Sequence, residues 1–168
     1  MVLKTAQIPR DISIQKMLDY INYVHSLGQE KIPNPKPGTQ HNARYTAKVF
    51  GFLDARGRLT ASGNALVELP DIDSKKSRMA IAYENTDCIK AWIEWSQVDD
   101  VFKLRENTAG QFLHSNCSLS KKNKLNRAKV LKKFLRKLKH YHPLNPQKKL
   151  LEISPKAKKQ IREISVFD

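Results

Sequence analysis

Apolar residues recur along this chain at helical spacing far more often than at strand spacing. Between Asp11 and Leu27, the residues Ile14, Met17, Leu18, Ile21, Val24 and Leu27 follow one another at three- and four-residue steps, which places them on one face of an amphipathic helix. Asp11 or Ser13 supplies its N-cap and Gly28 its stop. Pro33, Pro35 and Pro37 then fall within five residues, a density that excludes helix or central strand and predicts a stiff extended loop. A second, shorter helix is predicted from a cap at Thr39 to about Phe50, with Ala43, Ala47 and Phe50 inward and Gly51 as left-handed terminator. Phe52-Leu53 and Arg58-Leu59-Thr60 flank Asp54-Ala55-Arg56-Gly57. That is the pattern of two short strands around a turn, after which Thr60 or Ser62 caps a helix through Leu69.

Pro70 marks a boundary, and Asp73 or Ser74 caps a helix from about Lys75 to Tyr83. Asn85 or Thr86 caps a segment carrying Ile89, Trp92, Ile93 and Trp95; Val98, Phe102, Leu104, Phe112 and Leu113 continue in helix-compatible spacing without defining their own ends. The clearest helix runs from Lys121 to Tyr141, with Leu125, Ala128, Leu131, Phe134 and Leu138 as its apolar stripe, Ser118 or Ser120 as its cap and Pro143 and Pro146 beyond its end. Leu150 to Ile153, Ser154 as a cap, Pro155 at the first helical position and Ile161 to Ile164 predict a last short helix. The fold expected is mainly α with small β-hairpin wings, arranged as two tandem winged-helix-like modules at 1–70 and 71–146 and a C-terminal tail at 147–168.

Charge changes this picture by localising it. Lys and Arg total 31 against 16 Asp and Glu, for a net +15, an imbalance that favours a polyanionic partner through Coulomb attraction and counterion release. Met1 to Glu106 holds 15 basic and 13 acidic residues, whereas Asn107 to Leu151 holds 12 basic and no acidic ones. The excess therefore belongs to one stretch. No run approaches the roughly 20 apolar residues of a membrane span, and no signal-peptide pattern opens the chain, so a soluble cytoplasmic protein is expected, nucleoid-associated if bacterial, with no membrane partner. Cys88 and Cys117 are too few for a disulfide framework.

Ten of the 19 residues from Lys121 to Lys139 are Lys or Arg. Lys121, Lys122, Asn123, Lys124, Asn126, Arg127 and Lys129 crowd the N-terminal half, where the backbone amides also favour phosphate. Arg, Lys and Asn are the side chains that read guanine and adenine edges in the major groove; the later Lys132, Lys133, Arg136, Lys137 and Lys139 suit phosphate contact. The shorter helix offers Gln40, His41, Asn42, Arg44, Tyr45 and Lys48 for base edges, and Arg56 and Arg58 sit where a winged helix uses its hairpin on the backbone.

Arg44-Tyr45-Thr46-Ala47-Lys48-Val49-Phe50-Gly51-Phe52-Leu53, followed by Arg58-Leu59-Thr60-Ala61-Ser62-Gly63, resembles the winged-helix DNA-recognition modules of type II restriction endonucleases and related restriction proteins. Ser118-Leu119-Ser120 leading to Arg127-Ala128-Lys129-Val130-Leu131-Lys132-Lys133-Phe134-Leu135 is similar to the second module of such proteins. Phe50 stands at the usual leucine, Phe134 where tryptophan is common, and Lys137 at a second tryptophan position. The resemblance implies sequence-specific recognition of double-stranded DNA in a prokaryotic restriction-type system, with a catalytic nuclease subunit or domain as partner.

Other chemistries find less support. Asp71, Asp73 and Lys75 are the only residues that suggest the clustered carboxylates and lysine of a metal-dependent endonuclease, and they lie at a linker where a capping Asp serves equally well. His114, Cys117, Cys88, His140 and His142 form no CxxC or HxxxH pair, His41-Asn42 lacks the rest of an HNH pattern, and no Gly-rich phosphate loop is present. No metal, cofactor or catalytic residue is therefore expected. Tyr83, Trp92 and Trp95 are expected in the core. A small nuclease and a general RNA- or ribosome-binding basic protein remain as alternatives.

Overall fold

Seven α-helices account for most of the described residues in a computed structural model that describes residues 2–28 and 34–145. They are α1 (Ile14–Ser26), α2 (Thr39–Val49), α3 (Ala61–Glu68), α4 (Ile72–Glu84), α5 (Asp87–Ser96), α6 (Ala109–Asn116) and α7 (Lys121–Lys139), with one short 3-10 turn before α1 and two between α5 and α6. The predicted C-terminal helix and the 147–168 tail lie outside the described residues, as do Ile32 and Pro33 of the proline loop.

Side-chain caps set most helix starts. Ser13, Thr60, Thr86 and Ser120 each accept a hydrogen bond from the backbone N–H three residues on, satisfying an amide that the helix itself leaves unpaired. Two caps differ from expectation. Thr39 is the first residue inside α2, with Gly38 at φ 86 as N-cap. Asp71, not Asp73 or Ser74, caps α4 by accepting from Ser74 N at 2.7 Å, so that helix begins earlier than hydrophobic spacing indicated. At the end of α2, Gly51 adopts φ 82 while its N–H donates to Lys48 O and that of Phe52 to Ala47 O. These paired bonds turn the chain out of the helix, and the positive φ they need is cheap for glycine.

The residues after α2 pair less than expected. Among the described residues β pairing is confined to two isolated bridges, Leu53 with Leu59 and Leu3 with Cys117. The expected two-stranded wing is reduced to the first of these, because Asp54 Oδ1 accepts the Arg56 and Arg58 N–H groups at 2.9 Å each and closes a tight loop in place of a longer ladder. Gly63 of α3 packs onto this loop: a Cβ there would stand 2.2 Å from the Phe52 carbonyl oxygen.

The core is one continuous cluster running from Leu3 to Leu138. Every residue of the α1 stripe is buried except Leu27, which is half-buried. Phe50 at the end of α2, Tyr83 of α4 and Phe134 of α7 meet as a triangle of rings with centroids 5.4 to 5.8 Å apart, and the Tyr83 hydroxyl donates to Leu131 O at 2.9 Å. Side chains from either side of the Pro70 boundary thus share this packing. Trp92 is fully buried and donates to Thr108 Oγ1 at 3.0 Å; Trp95 leans on Phe112 with its edge exposed.

Candidate nucleic-acid interface

α7 divides its chemistry by face. Ala128, Val130, Leu131, Phe134, Leu135 and Leu138 enter the core, and helical geometry then turns most of the interleaved cations outward. Leu125, predicted in the apolar stripe, is 58% exposed on the outward side, and Val130 is buried instead. Lys121, Lys122, Asn123, Asn126, Lys129 and Lys137 are exposed. Among the described residues Lys121, Lys122, Lys129, Lys132, Lys137 and Lys139 enter no ion pair, while Lys133 meets Asp11 at 2.7 Å and Arg136 meets Glu106 at 2.8 Å. The hydrogen bond from Arg136 holds the Glu106 carboxyl below its usual range, and Glu106 in turn raises Arg136. Lys124 donates to His114 O at 3.1 Å.

Two residues expected to face a ligand are instead turned into the protein. Arg127 donates from one nitrogen to Ile8 O at 2.8 Å and Pro9 O at 2.9 Å. The Tyr45 ring lies beneath the guanidinium of Arg10, 4.4 Å from the ring centroid, and that of Arg127 at 5.4 Å; its hydroxyl donates to Thr5 O. These contacts are a structural knot binding α2, α7 and the N-terminal segment, with the carbonyls of Ile8 and Pro9 satisfied by a charged donor.

Three more polar residues of α2 are engaged, while His41 stays exposed. Gln40 Oε1 accepts from Lys36 N at 2.9 Å, Asn42 Nδ2 approaches Asp11 O at 3.5 Å, and Arg44 Nη2 donates to Arg56 O at 3.2 Å, tying the helix to the turn. Partial burial, with Arg44 nearby, pulls Lys48 below its usual value. Arg56 is exposed at the turn, whereas Arg58 lines a separate cleft with His25 and Asn64.

One cleft, of about 540 Å³, brings the two predicted helices together. α7 contributes Asn123, Asn126, Lys129 and Lys133, α2 contributes Asn42, and the N-terminal segment contributes Arg10 and Asp11. Neither Arg10 nor Asp11 stood out in the sequence as a lining residue; no periodicity marks them, and only the return of the chain's start onto α7 places them there. Asp11 is the carboxylate among these cations.

Three of the residues weighed for other chemistries, Asp71, His142 and Cys88, have local explanations. The Ser74 backbone N–H bonded to Asp71 holds that carboxyl below its usual range. His142 is buried against the Glu84 carboxylate and accepts from Leu144 N at 3.0 Å. Burial, with smaller contributions from Cys117 and Asp87, pushes the Cys88 thiol up to about 12. Among the described residues no three His, Cys, Asp or Glu side chains are grouped to hold a metal ion, and no helix is long and apolar enough to cross a membrane. Comparison of the chain with protein-family models, with curated proteins and with solved structures finds no match.

Proposed function

We propose that this chain binds double-stranded DNA in a sequence-dependent manner, as the recognition module or subunit of a restriction-type system whose catalytic nuclease is a separate subunit or domain. The observation that carries the reading is the one-sidedness of α7, with six apolar side chains in the core and lysines outward that, apart from Lys133, form no ion pair among the described residues, in a stretch from 107 to 151 that has no carboxylate. A helix so loaded gains affinity for a polyanion mainly by releasing its counterions. The cleft beside it adds amide side chains, which form the two-point hydrogen bonds that tell bases apart.

The order of α1, α2, the bridged turn at Leu53 and Leu59, and α3 supports a winged-helix-like organisation for 1–70, and α7 is the recognition helix of the 71–146 module in this reading. The internal bonds of Tyr45 and Arg127 make them supports of the interface, while Lys122, Asn123, Asn126, Lys129 and Lys133 are its contact side chains.

Selection from a randomised duplex library near physiological salt, where non-specific affinity is suppressed, tests the reading. Enrichment of one short motif is expected. Tight binding with no motif removes the specificity, preference for folded RNA moves the chain to the RNA-binding class, and Mg²⁺-dependent cleavage lost in Asp73→Ala assigns it catalysis of its own.

A further inference from the structure

Leu125 is the one apolar residue of α7 that the core does not take. The helix carries seven such residues, six of them buried, and Leu125 stands 58% exposed. Single exposed leucines are common, so its neighbours decide its meaning. Helical spacing puts Lys121 and Lys129 four residues either side of it and Lys122 three before it. Asn126, exposed and adjacent, makes no side-chain hydrogen bond among the described residues. Lys122, Leu125 with Asn126, and Lys129 therefore form the outermost spine of the helix, and half-buried Lys133, paired with Asp11, continues it towards the cleft. Cations run along it, and an apolar group and an amide lie between them.

A surface of this kind fits a ligand with negative charge on both flanks and a mixed apolar and hydrogen-bonding floor. The major groove of duplex DNA has that layout: phosphates form the walls, and the groove is about 12 Å wide, close to the diameter of a helix with its side chains. On its floor an A·T pair presents the thymine 5-methyl group beside adenine N7, an acceptor, and N6, a donor. A leucine suits the methyl, and an asparagine amide matches N6 and N7 with one acceptor and one donor. G·C pairs offer no methyl.

We propose that α7 lies in the major groove and selects A·T pairs through this spine, Leu125 against the thymine methyl and Asn126 on adenine N6 and N7. The proposal rests on the DNA-binding reading above and adds the base class read. Lys122 and Lys129 hold the flanking phosphates without regard to sequence.

The test measures affinity of the full chain for four duplexes at one salt concentration: alternating dA-dT, the same duplex with deoxyuridine for thymidine, the same with 7-deazaadenine for adenine, and alternating dG-dC. Deoxyuridine removes only the methyl, and 7-deazaadenine removes only the N7 acceptor. The unsubstituted protein is expected to bind the uridine duplex about threefold more weakly and the 7-deaza duplex about tenfold more weakly. The first loss should vanish in Leu125→Ala and the second in Asn126→Ala, each substitution leaving the thermal midpoint in place because both side chains are exposed. Equal binding to all four duplexes overturns base selection while leaving DNA binding intact. Binding to none of them overturns both readings; if vesicles of phosphatidylserine and phosphatidylcholine then bind in a Leu125-dependent way, the spine faces a lipid surface instead.

Discussion

α2 and α7 are both helices rich in Arg, Lys, Asn and other polar residues, yet they use them in opposite ways. In α2, Gln40, Arg44 and Tyr45 close hydrogen bonds to the backbone of neighbouring segments, and the helix serves as a post between the N-terminal segment and the turn at Asp54. In α7, the lysines of the outward face meet few carboxylates: of its ten cations, Lys133 and Arg136 form ion pairs among the described residues. A residue's donor chemistry thus says what it is able to contact, and its neighbours in space say whether it is available to do so.

The largest effect should come from the ring triangle that joins the two helices. Phe134→Ala is expected to cost about 3–5 kcal/mol, read by urea denaturation followed through tryptophan fluorescence and far-UV circular dichroism. If the 1–70 and 71–146 parts depend on the shared packing, both probes move together; separate transitions would mean that α2 and α7 belong to independently stable units.

Arg127→Ala should cost about 1.5–3 kcal/mol of stability, because the substitution leaves the carbonyls of Ile8 and Pro9 without their charged donor. Lys129→Ala, two residues away in sequence but exposed, should change stability by no more than about 0.5 kcal/mol and reduce the salt slope of DNA binding by about one. Reversal of these two outcomes would make Arg127 a contact residue and Lys129 a structural one.

Tyr45→Phe keeps the ring beneath Arg10 and Arg127 but removes the bond to Thr5. A loss of about 1 kcal/mol with unchanged affinity is expected; a loss of affinity with unchanged stability would restore α2 as a reading helix. Asp11→Asn should alter stability by less than about 1 kcal/mol, since the pair with Lys133 is exposed. It should raise DNA affinity about two- to threefold by removing a negative charge from the cleft, the strength of a weak surface pair in 0.15 M salt.

At neutral pH the smallest effect is that of Cys88 ionisation, which is none. Its folded thiol titrates near 12, above the ordinary 9.0, so its contribution is complete below pH 9 and falls as pH rises towards 12. Buried Tyr83, also raised by desolvation, adds to the same alkaline loss. Cys88→Ala should flatten the decline in thermal midpoint between those pH values; an unchanged decline would assign it to other groups.

Much of the local structure was legible before any tertiary contact was known. The α1 stripe, the stop at Gly51 and the caps at Ser13, Thr60, Thr86 and Ser120 depend on residues within one or two turns of each other, and so short a range is written in the chain. The ends of α5 and α6 were not legible, because the apolar residues from Ile89 to Leu113 serve several short elements packed from more than one side. Leu125 misled for a related reason: its spacing continues the α7 stripe, but the core leaves it 58% exposed and takes Val130 instead.

The sequence by itself determined the helical class, the siting of the positive charge between 107 and 151 and the face of α7 that most of its apolar residues share, since periodicity and charge are properties of order along the chain. Only the tertiary structure decided which cations are available. Arg127 and Tyr45 are drawn inward by the chain's first ten residues, and Asp11 comes to Lys133 across more than a hundred residues. Such pairings depend on where unsatisfied carbonyls and carboxylates end up once the core has closed, and no local pattern encodes that position.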